Sequence, residues 1–253
     1  MTISVEIINQ LSDNYSYLIS GNKDNSSIII DPAESDKILN VLQEKKLNLN
    51  YIFITHHHSD HTSGVADLVK AYPEVKVFSP SELNSISVNV ISDSNKITTN
   101  LNEFEIIHTP GHTLDHIVLC DLKNNLLFVG DVLFRLGCGR VFEGTLEQMH
   151  SSLIKLLDLS DRMLVYCGHE YTLNNLKFLE HIFKKNKILE SVKKDIINDF
   201  NSKTRSIPFY LGDEKKCNPF LNQNCEMALE LRSKNNYSDF EFFKYLRQEK
   251  DSF

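Results

Sequence analysis

Short apolar runs alternate with polar, turn-prone stretches through the first two thirds of the chain. The runs are β-branched and aromatic and too short for helices, which suits buried strands. They predict strands over 3–8, 15–20, 27–31, 51–54, 75–78, 104–108, 116–121, 126–130 and 163–167. Helical spacing predicts 36–46, 63–71 and 145–157 instead. In the last of these, Leu146, Met149, Leu153, Leu156 and Leu157 share one face, and Thr145 stands where an N-cap belongs. After Tyr171 the strand pattern stops, and helical spacing covers 173–189, 192–200, 225–232 and 238–250. A stretch with Pro208, Gly212 and Pro219 interrupts it and predicts an irregular connection. Mixed strands with helices outside them predict two sheets packed between helical layers. The pattern therefore reads as an α/β domain over 1–170 and a smaller, mostly α-helical domain over 171–253.

Composition narrows the class without choosing a function. The 253 residues can hold one large domain with an appendage. An apolar content of 41% with 24% charged residues is that of an ordinary soluble protein. The opening residues have no basic segment ahead of a long apolar one, so they read as a strand and not a signal peptide. No run approaches the roughly 18 apolar residues of a membrane span, so no membrane partner is expected. A net charge of −7 disfavours nucleic acid, whose phosphates need clustered Lys and Arg. Cys120, Cys138, Cys167, Cys217 and Cys225 are odd in number and form no CxxC pair, so reduced thiols in the cytoplasm are expected.

The chemistry is concentrated in Thr55-His56-His57-His58-Ser59-Asp60-His61, which fits T-H-x-H-x-D-H and follows the apolar run Tyr51-Ile52-Phe53-Ile54. Four potential ligands thus sit at the tip of a buried strand. Imidazole nitrogen and carboxylate oxygen suit zinc, iron or manganese, and the absence of a cysteine here points to a catalytic rather than a structural metal. Three more candidates end apolar runs beside a glycine: Gly111-His112, Gly130-Asp131 and Gly168-His169. Each alone is an ordinary turn, but together, all at strand ends, they read as ligands. His57 and His116 neighbour the ligands and read as supporting groups, while His150 and His181 fall in helical patterns. Cys138 is a remote candidate for a thiol ligand.

With Gly111-His112-Thr113, Gly130-Asp131 and Gly168-His169, the loop at 55–61 resembles the metallo-β-lactamase superfamily. Within it, Gly137-Cys138-Gly139-Arg140, Phe142-Glu143-Gly144-Thr145, His169-Glu170-Tyr171-Thr172 and Leu246-Arg247-Gln248-Glu249-Lys250-Asp251-Ser252-Phe253 resemble the glyoxalase II, or hydroxyacylglutathione hydrolase, family. The resemblance runs from Leu11-Ser12-Asp13-Asn14-Tyr15 to the last residue. It implies an αββα sandwich with two divalent metals, zinc foremost, with iron or manganese as alternatives. His56, His58 and His112 would hold one metal, Asp60, His61 and His169 the other, and Asp131 would bridge them and help hold a metal-bridging hydroxide as nucleophile. It further implies Arg140, Tyr171, Arg247 and Lys250 as contacts to a glutathione thioester, a functional link to glyoxalase I, and a monomer. For Arg247 and Lys250 the ordinary alternative is a solvated helix face, and for Tyr171 simple packing. Phe142 stands where some members have tyrosine, so one hydroxyl contact to the tripeptide is missing. Rival functions are a mononuclear iron persulfide dioxygenase, another hydrolase of this fold, and a non-catalytic metal-binding protein. The retention of all seven ligands argues against the last.

Overall fold

The apolar runs of the first half become strands almost where the pattern sets them. The computed structural model describes residues 3–22, 25–84 and 86–253. It opens with β1 (Ile3–Gln10), β2 (Asn14–Gly21), β3 (Ser26–Ile30), α1 (Asp36–Glu44), β4 (Asn48–Phe53), α2 (Ser59–Thr62) and α3 (Val65–Ala71). Then come β5 (Lys76–Ser79), β6 (Asn89–Val90), β7 (Lys96–Thr98), β8 (Glu103–His108), β9 (Ile117–Asp121), β10 (Leu126–Gly130), β11 (Leu133–Phe134) and β12 (Gly137–Cys138). The remainder is α4 (Leu146–Leu157), β13 (Leu164–Cys167), α5 (Thr172–Ile182), α6 (Lys187–Lys203), β14 (Phe209–Tyr210), α7 (Leu211–Cys217), α8 (Glu226–Lys234) and α9 (Asp239–Ser252). The chain divides into two compact units, one of Met1–His108, Asp115–Asn124 and Phe128–Gly130, the other of Thr109–Leu114, Asn125–Leu127 and Asp131–Phe253.

In the first unit, β1 to β6 form a sheet in that order. Its first three strands run antiparallel, and β3 to β6 pair in parallel. A second run has the order β10-β9-β8-β7. Side chains alternate across the first sheet. Leu18, Ile29, Ile52 and Val77 pack with Ile38 and Leu42 of α1 and Val65 and Leu68 of α3. Tyr17 and Phe53 lie on the other face, where Phe53 meets Phe104 at 5.0 Å and Tyr17 meets Phe128 at 5.5 Å between ring centroids. Both faces are thus covered, which is why these strands read as unbroken apolar runs. Each such side chain contributes roughly 1.5–3 kcal/mol by leaving water, so the strand ends that carry the candidate ligands are firmly anchored.

In the second unit, β13 pairs antiparallel with β14. Helix α4 opens with the expected cap: Gln148 N–H donates to Thr145 Oγ1 at 3.2 Å, and Thr145 N–H donates to Gln148 Oε1 at 2.8 Å. His150 packs from α4 onto Phe240 and Phe243 of α9, with centroids 5.5 and 5.2 Å apart.

The helix expected over 173–189 is two helices. Helix α5 stops at Ile182, and the Asn186 side chain accepts from the Ile188 and Leu189 N–H groups at 3.0 and 3.1 Å to start α6. An asparagine cap stabilises a helix start about as well as any residue, so it overrides the apolar spacing running through it. The connection expected to be irregular holds β14 and α7, so a strand does occur after Tyr171. Of the elements of two to four residues, β5 and β13 were expected from their apolar runs, whereas α2, β6, β7, β11, β12 and β14 show no period. Among the described residues, no helix is long and apolar enough to cross a membrane, and the five cysteines are buried thiols.

Candidate metal centre

The first unit supplies His56, His58, Asp60 and His61 from the loop after β4 and the single turn of α2. A buried carboxylate that the sequence reading passed over organises them. Asp31 follows β3 with φ 51°, a left-handed conformation that aspartate tolerates better than most residues. Its Oδ1 accepts from the Thr55 N–H at 2.8 Å, and its Oδ2 accepts from the Thr55 hydroxyl at 2.7 Å. That same Oδ2 lies 3.0 Å from His61 Nδ1, and the Thr55 hydroxyl lies 3.0 Å from His56 Nδ1. Since the hydroxyl proton goes to Asp31, Thr55 Oγ1 accepts from His56. Both histidines therefore carry the proton on Nδ1 and keep the Nε2 lone pair for a ligand. Asn14 Nδ2 donates to the Asp60 carbonyl at 3.1 Å and to its Oδ2 at 3.0 Å, which fixes a half-exposed carboxylate. Gly130 closes this network from below: with φ 44°, a Cβ there would stand 2.5 Å from Thr55 Oγ1 and 2.8 Å from His116 Nε2. The supporting role expected for His116 fits that placement. His57 instead points its Nδ1 at Asp115 Oδ1, 3.0 Å away.

The second unit supplies His112, Asp131 and His169. Asp131 Oδ2 lies 3.4 Å from His112 Nε2 and 3.3 Å from His169 Nε2, so the three converge on one point. His112 Nδ1 lies 2.8 Å from the Arg140 carbonyl, an acceptor only. The Nδ1 of His112 therefore bears the proton, as in His56 and His61, and Nε2 again faces the carboxylate. The imidazole of His169 stacks on Tyr171, centroids 4.8 Å apart and 7° from parallel. Gly139 is obligatory here, because a Cβ would collide with the Asp131 carbonyl.

Ligand-capable side chains gather in groups among the described residues, and each of the seven residues singled out in the sequence is in at least one of them. This nitrogen and oxygen set, with Nδ1 tied to acceptors, fits a divalent transition metal. Cys138 joins none of these groups. Its Sγ takes an Arg247 N–H at 3.9 Å, and burial pushes its thiol pKa up, which disfavours the thiolate that a metal needs.

The four residues expected to bind the tripeptide also lie in the second unit. Arg140 is exposed and pairs through Nε with Asp251 Oδ1 at 3.2 Å. Arg247 is not on a solvated face: it is 4% exposed, donates to the Cys138 carbonyl at 3.1 Å and meets Asp251 Oδ1 at 3.0 Å. Lys250 Nζ donates to the Asn174 carbonyl at 3.1 Å and lies 4.9 Å from the Phe178 ring centroid. Burial, helped by Arg247, pushes its pKa down to about 8. Tyr171 packs on Phe134 as well as on His169. Phe142 is 60% exposed, its ring 5.2 Å from that of His112. Asp31 had a legible signal, since Ile28-Ile29-Ile30-Asp31 repeats the apolar run ending on a carboxylate seen at Asp131. Asn14 and Asp251 had none.

Comparison with known proteins agrees with this chemistry. Residues 11–87 and 87–169 match the metallo-β-lactamase superfamily, and residues 170–253 match the hydroxyacylglutathione hydrolase C-terminus. A hydroxyacylglutathione hydrolase of Pectobacterium atrosepticum is 38% identical over 247 residues, covering 96% of this chain and 97% of its own. One from Pseudoalteromonas translucida is 39% identical over 260 residues, covering 99% and 100%. Among solved structures, ETHE1 from Myxococcus xanthus is similar with a TM-score of 0.65 at 23% identity, covering 97% of this chain and 96% of that one. The BLEG-1 B3 metallo-β-lactamase is similar with a TM-score of 0.63 at 20% identity, covering 87% and 99%. At such identities these two structures speak for the fold alone.

Proposed function

This chain belongs to the hydroxyacylglutathione hydrolase family of the metallo-β-lactamase superfamily, and from that membership we propose that it hydrolyses S-(2-hydroxyacyl)glutathione, S-D-lactoylglutathione above all, to a 2-hydroxy acid and glutathione. The observation that supports this reading is that a chain with seven candidate ligands also carries cationic side chains on its C-terminal helix. His56, His58 and His112 would hold one divalent ion and Asp60, His61 and His169 a second. Zinc is the foremost candidate for both. Asp131 would serve both ions because a carboxylate offers two oxygens, whereas an imidazole protonated on one nitrogen offers a single lone pair. When bound, such ions supply a water of near-neutral pKa and Lewis-acid polarisation of a carbonyl. The catalytic part would be residues 1–170 and the substrate-holding part 171–253.

The protein's own groups do the rest. Glutathione presents two carboxylates, and the Arg140 guanidinium and Lys250 ammonium are suited to hold them by charge-assisted hydrogen bonds. Buried Arg247 braces the backbone at Cys138 and, through Asp251, the Arg140 side chain. Tyr171, stacked on His169, can guide the sulfur end of the thioester toward the ligands. Without a hydroxyl at Phe142, one tripeptide contact is lost, worth about 0.5–1.5 kcal/mol. The reaction would follow that of a glyoxalase I, which supplies the thioester.

The deciding experiment is the loss of S-D-lactoylglutathione absorbance with purified protein, alongside metal content per chain. Rapid hydrolysis with about two metals bound supports the reading. No hydrolysis, a single iron, and oxygen uptake with glutathione persulfide would replace it by the dioxygenase. The Lys250 amine adds a pH signature. It is charged below about 8 and neutral above, so kcat/KM should fall as pH climbs through that value. Lys250→Gln should start lower and lose that limb of the profile, and an unchanged limb would remove Lys250 from the binding site.

A further inference from the structure

The β11–β12 hairpin is a two-residue turn in which Leu133 pairs with Cys138 and Phe134 with Gly137. Its second turn residue, Leu136, is fully buried and has φ 60°. Leucine is a poor occupant of that conformation, because its Cβ crowds the following carbonyl oxygen. Something must hold it there, and the holder is a buried acid. The Glu214 side chain on α7, 2% exposed, accepts the Leu136 N–H at 2.8 Å. The same oxygen, Oε2, accepts from Asn218 Nδ2 at 2.9 Å. Asn218 Nδ2 also lies 3.2 Å from the Phe134 carbonyl and 3.0 Å from that of Gly137. Asn218 Oδ1 takes the Phe220 N–H at 3.0 Å, which sets the amide so that its donor faces the hairpin. Asn175 Nδ2 completes the clasp on the Arg135 carbonyl at 3.0 Å.

The hairpin leads directly into Gly139 and Arg140. The Arg140 carbonyl accepts from the imidazole of His112, and its guanidinium faces Asp251. A shift of this peptide would thus move a carboxylate-holding group, while His112 keeps Asp131 at its Nε2. The function assigned to His112 and Arg140 needs neither Glu214 nor Asn218 as a contact. We propose that Glu214 and Asn218 are positioning residues that clasp the β11–β12 hairpin and thereby set the Arg140 peptide for substrate binding. Burial pushes the Glu214 carboxyl up to about 7. Near neutral pH it is therefore neutral in part of the molecules, and Oε2 can accept in either form. The inference rests on Arg140 being a substrate group.

The test compares Glu214→Ala, Glu214→Gln and Asn218→Ala with the unaltered enzyme by two readouts. Amide hydrogen exchange over 133–140 reports the clasp itself, independently of any reaction. Steady-state kinetics with S-D-lactoylglutathione report its consequence. Expected are faster exchange confined to 133–140 in the two alanine variants and a KM raised roughly 10- to 100-fold, the range for losing a hydrogen bond to a charged group. In those variants kcat should stay within about threefold, since no reacting group is removed. Glu214→Gln, which keeps an acceptor in place, should recover most of both effects. Should Glu214→Ala fail to fold, Asn218→Ala and Glu214→Gln carry the comparison. Unchanged exchange over 133–140, or exchange that quickens throughout the chain with kcat and KM altered together, overturns the proposal. If the unaltered enzyme hydrolyses no thioester, the functional reading fails with it, while the exchange result still decides whether the clasp exists.

Discussion

Asp131→Ala should lose thioester hydrolysis by roughly a thousandfold or more and leave the purified protein depleted in metal. The reason is geometric and electrostatic together. Asp131 Oδ2 is the point toward which His112 and His169 both aim, and its carboxylate is the negative charge of the second unit's ligand set. Alanine leaves two neutral imidazoles facing an uncharged gap. A metal contribution of several kcal/mol to the transition state is then lost, at a factor of ten for each 1.36 kcal/mol. Metal analysis of the variant beside turnover at saturating metal separates the two roles. Full activity in metal-replete Asp131→Ala protein would sink the assignment of Asp131 as the shared ligand. Because Asp131 is buried beside Gly139, a melting curve of the metal-free forms should show only a modest change.

The second large effect is expected at Asp31, a residue that need not touch a metal. Asp31→Asn replaces an acceptor of three donated hydrogen bonds by a group with one acceptor and one donor oxygen–nitrogen pair. Thr55 N–H, Thr55 Oγ1 and His61 Nδ1 cannot all be satisfied. A buried donor left unmade costs about 1–3 kcal/mol, so the metal-free protein should melt earlier. If the amide nitrogen faces His61, the imidazole must present its Nδ1 lone pair and move its proton to Nε2, the nitrogen needed for the metal. Metal affinity should then fall roughly 10- to 100-fold, as is usual when such supporting bonds are lost. Competition with a chelator measures this directly. Equal affinity in Asp31→Asn and the unaltered protein would show that the network serves stability alone.

These two residues differ in how visible they are from the chain alone. Asp131 ends an apolar run beside a glycine, as do His112 and His169 after their own strands, and the loop at 55–61 carries four candidate ligands within six residues. Asp31 ends a similar run, yet nothing local says that its carboxylate turns toward residues 55 and 61. Arg247 and Lys250 were legible as a pair on one helix face, but their environment was not: Arg247 is almost wholly buried. Helix α6 could not be bounded from apolar spacing, because Asn186 caps its start inside a stretch that reads as one helix.

The amino-acid sequence by itself determined the strand-rich and helical segments, the seven candidate ligands and the chemical type they offer. Those properties live in short windows, where period, turn chemistry and ligand type act over a few neighbouring residues. Only the tertiary structure decided which nitrogen of His56, His61 and His112 is left for a ligand, because that depends on Asp31, Thr55 and the Arg140 carbonyl. It also decided that Glu214 and Asn218 would hold a turn about 80 positions away in the chain. Hydrogen-bond partners of that kind are chosen by packing of distant segments, and a buried polar group takes whichever partner the fold brings within reach.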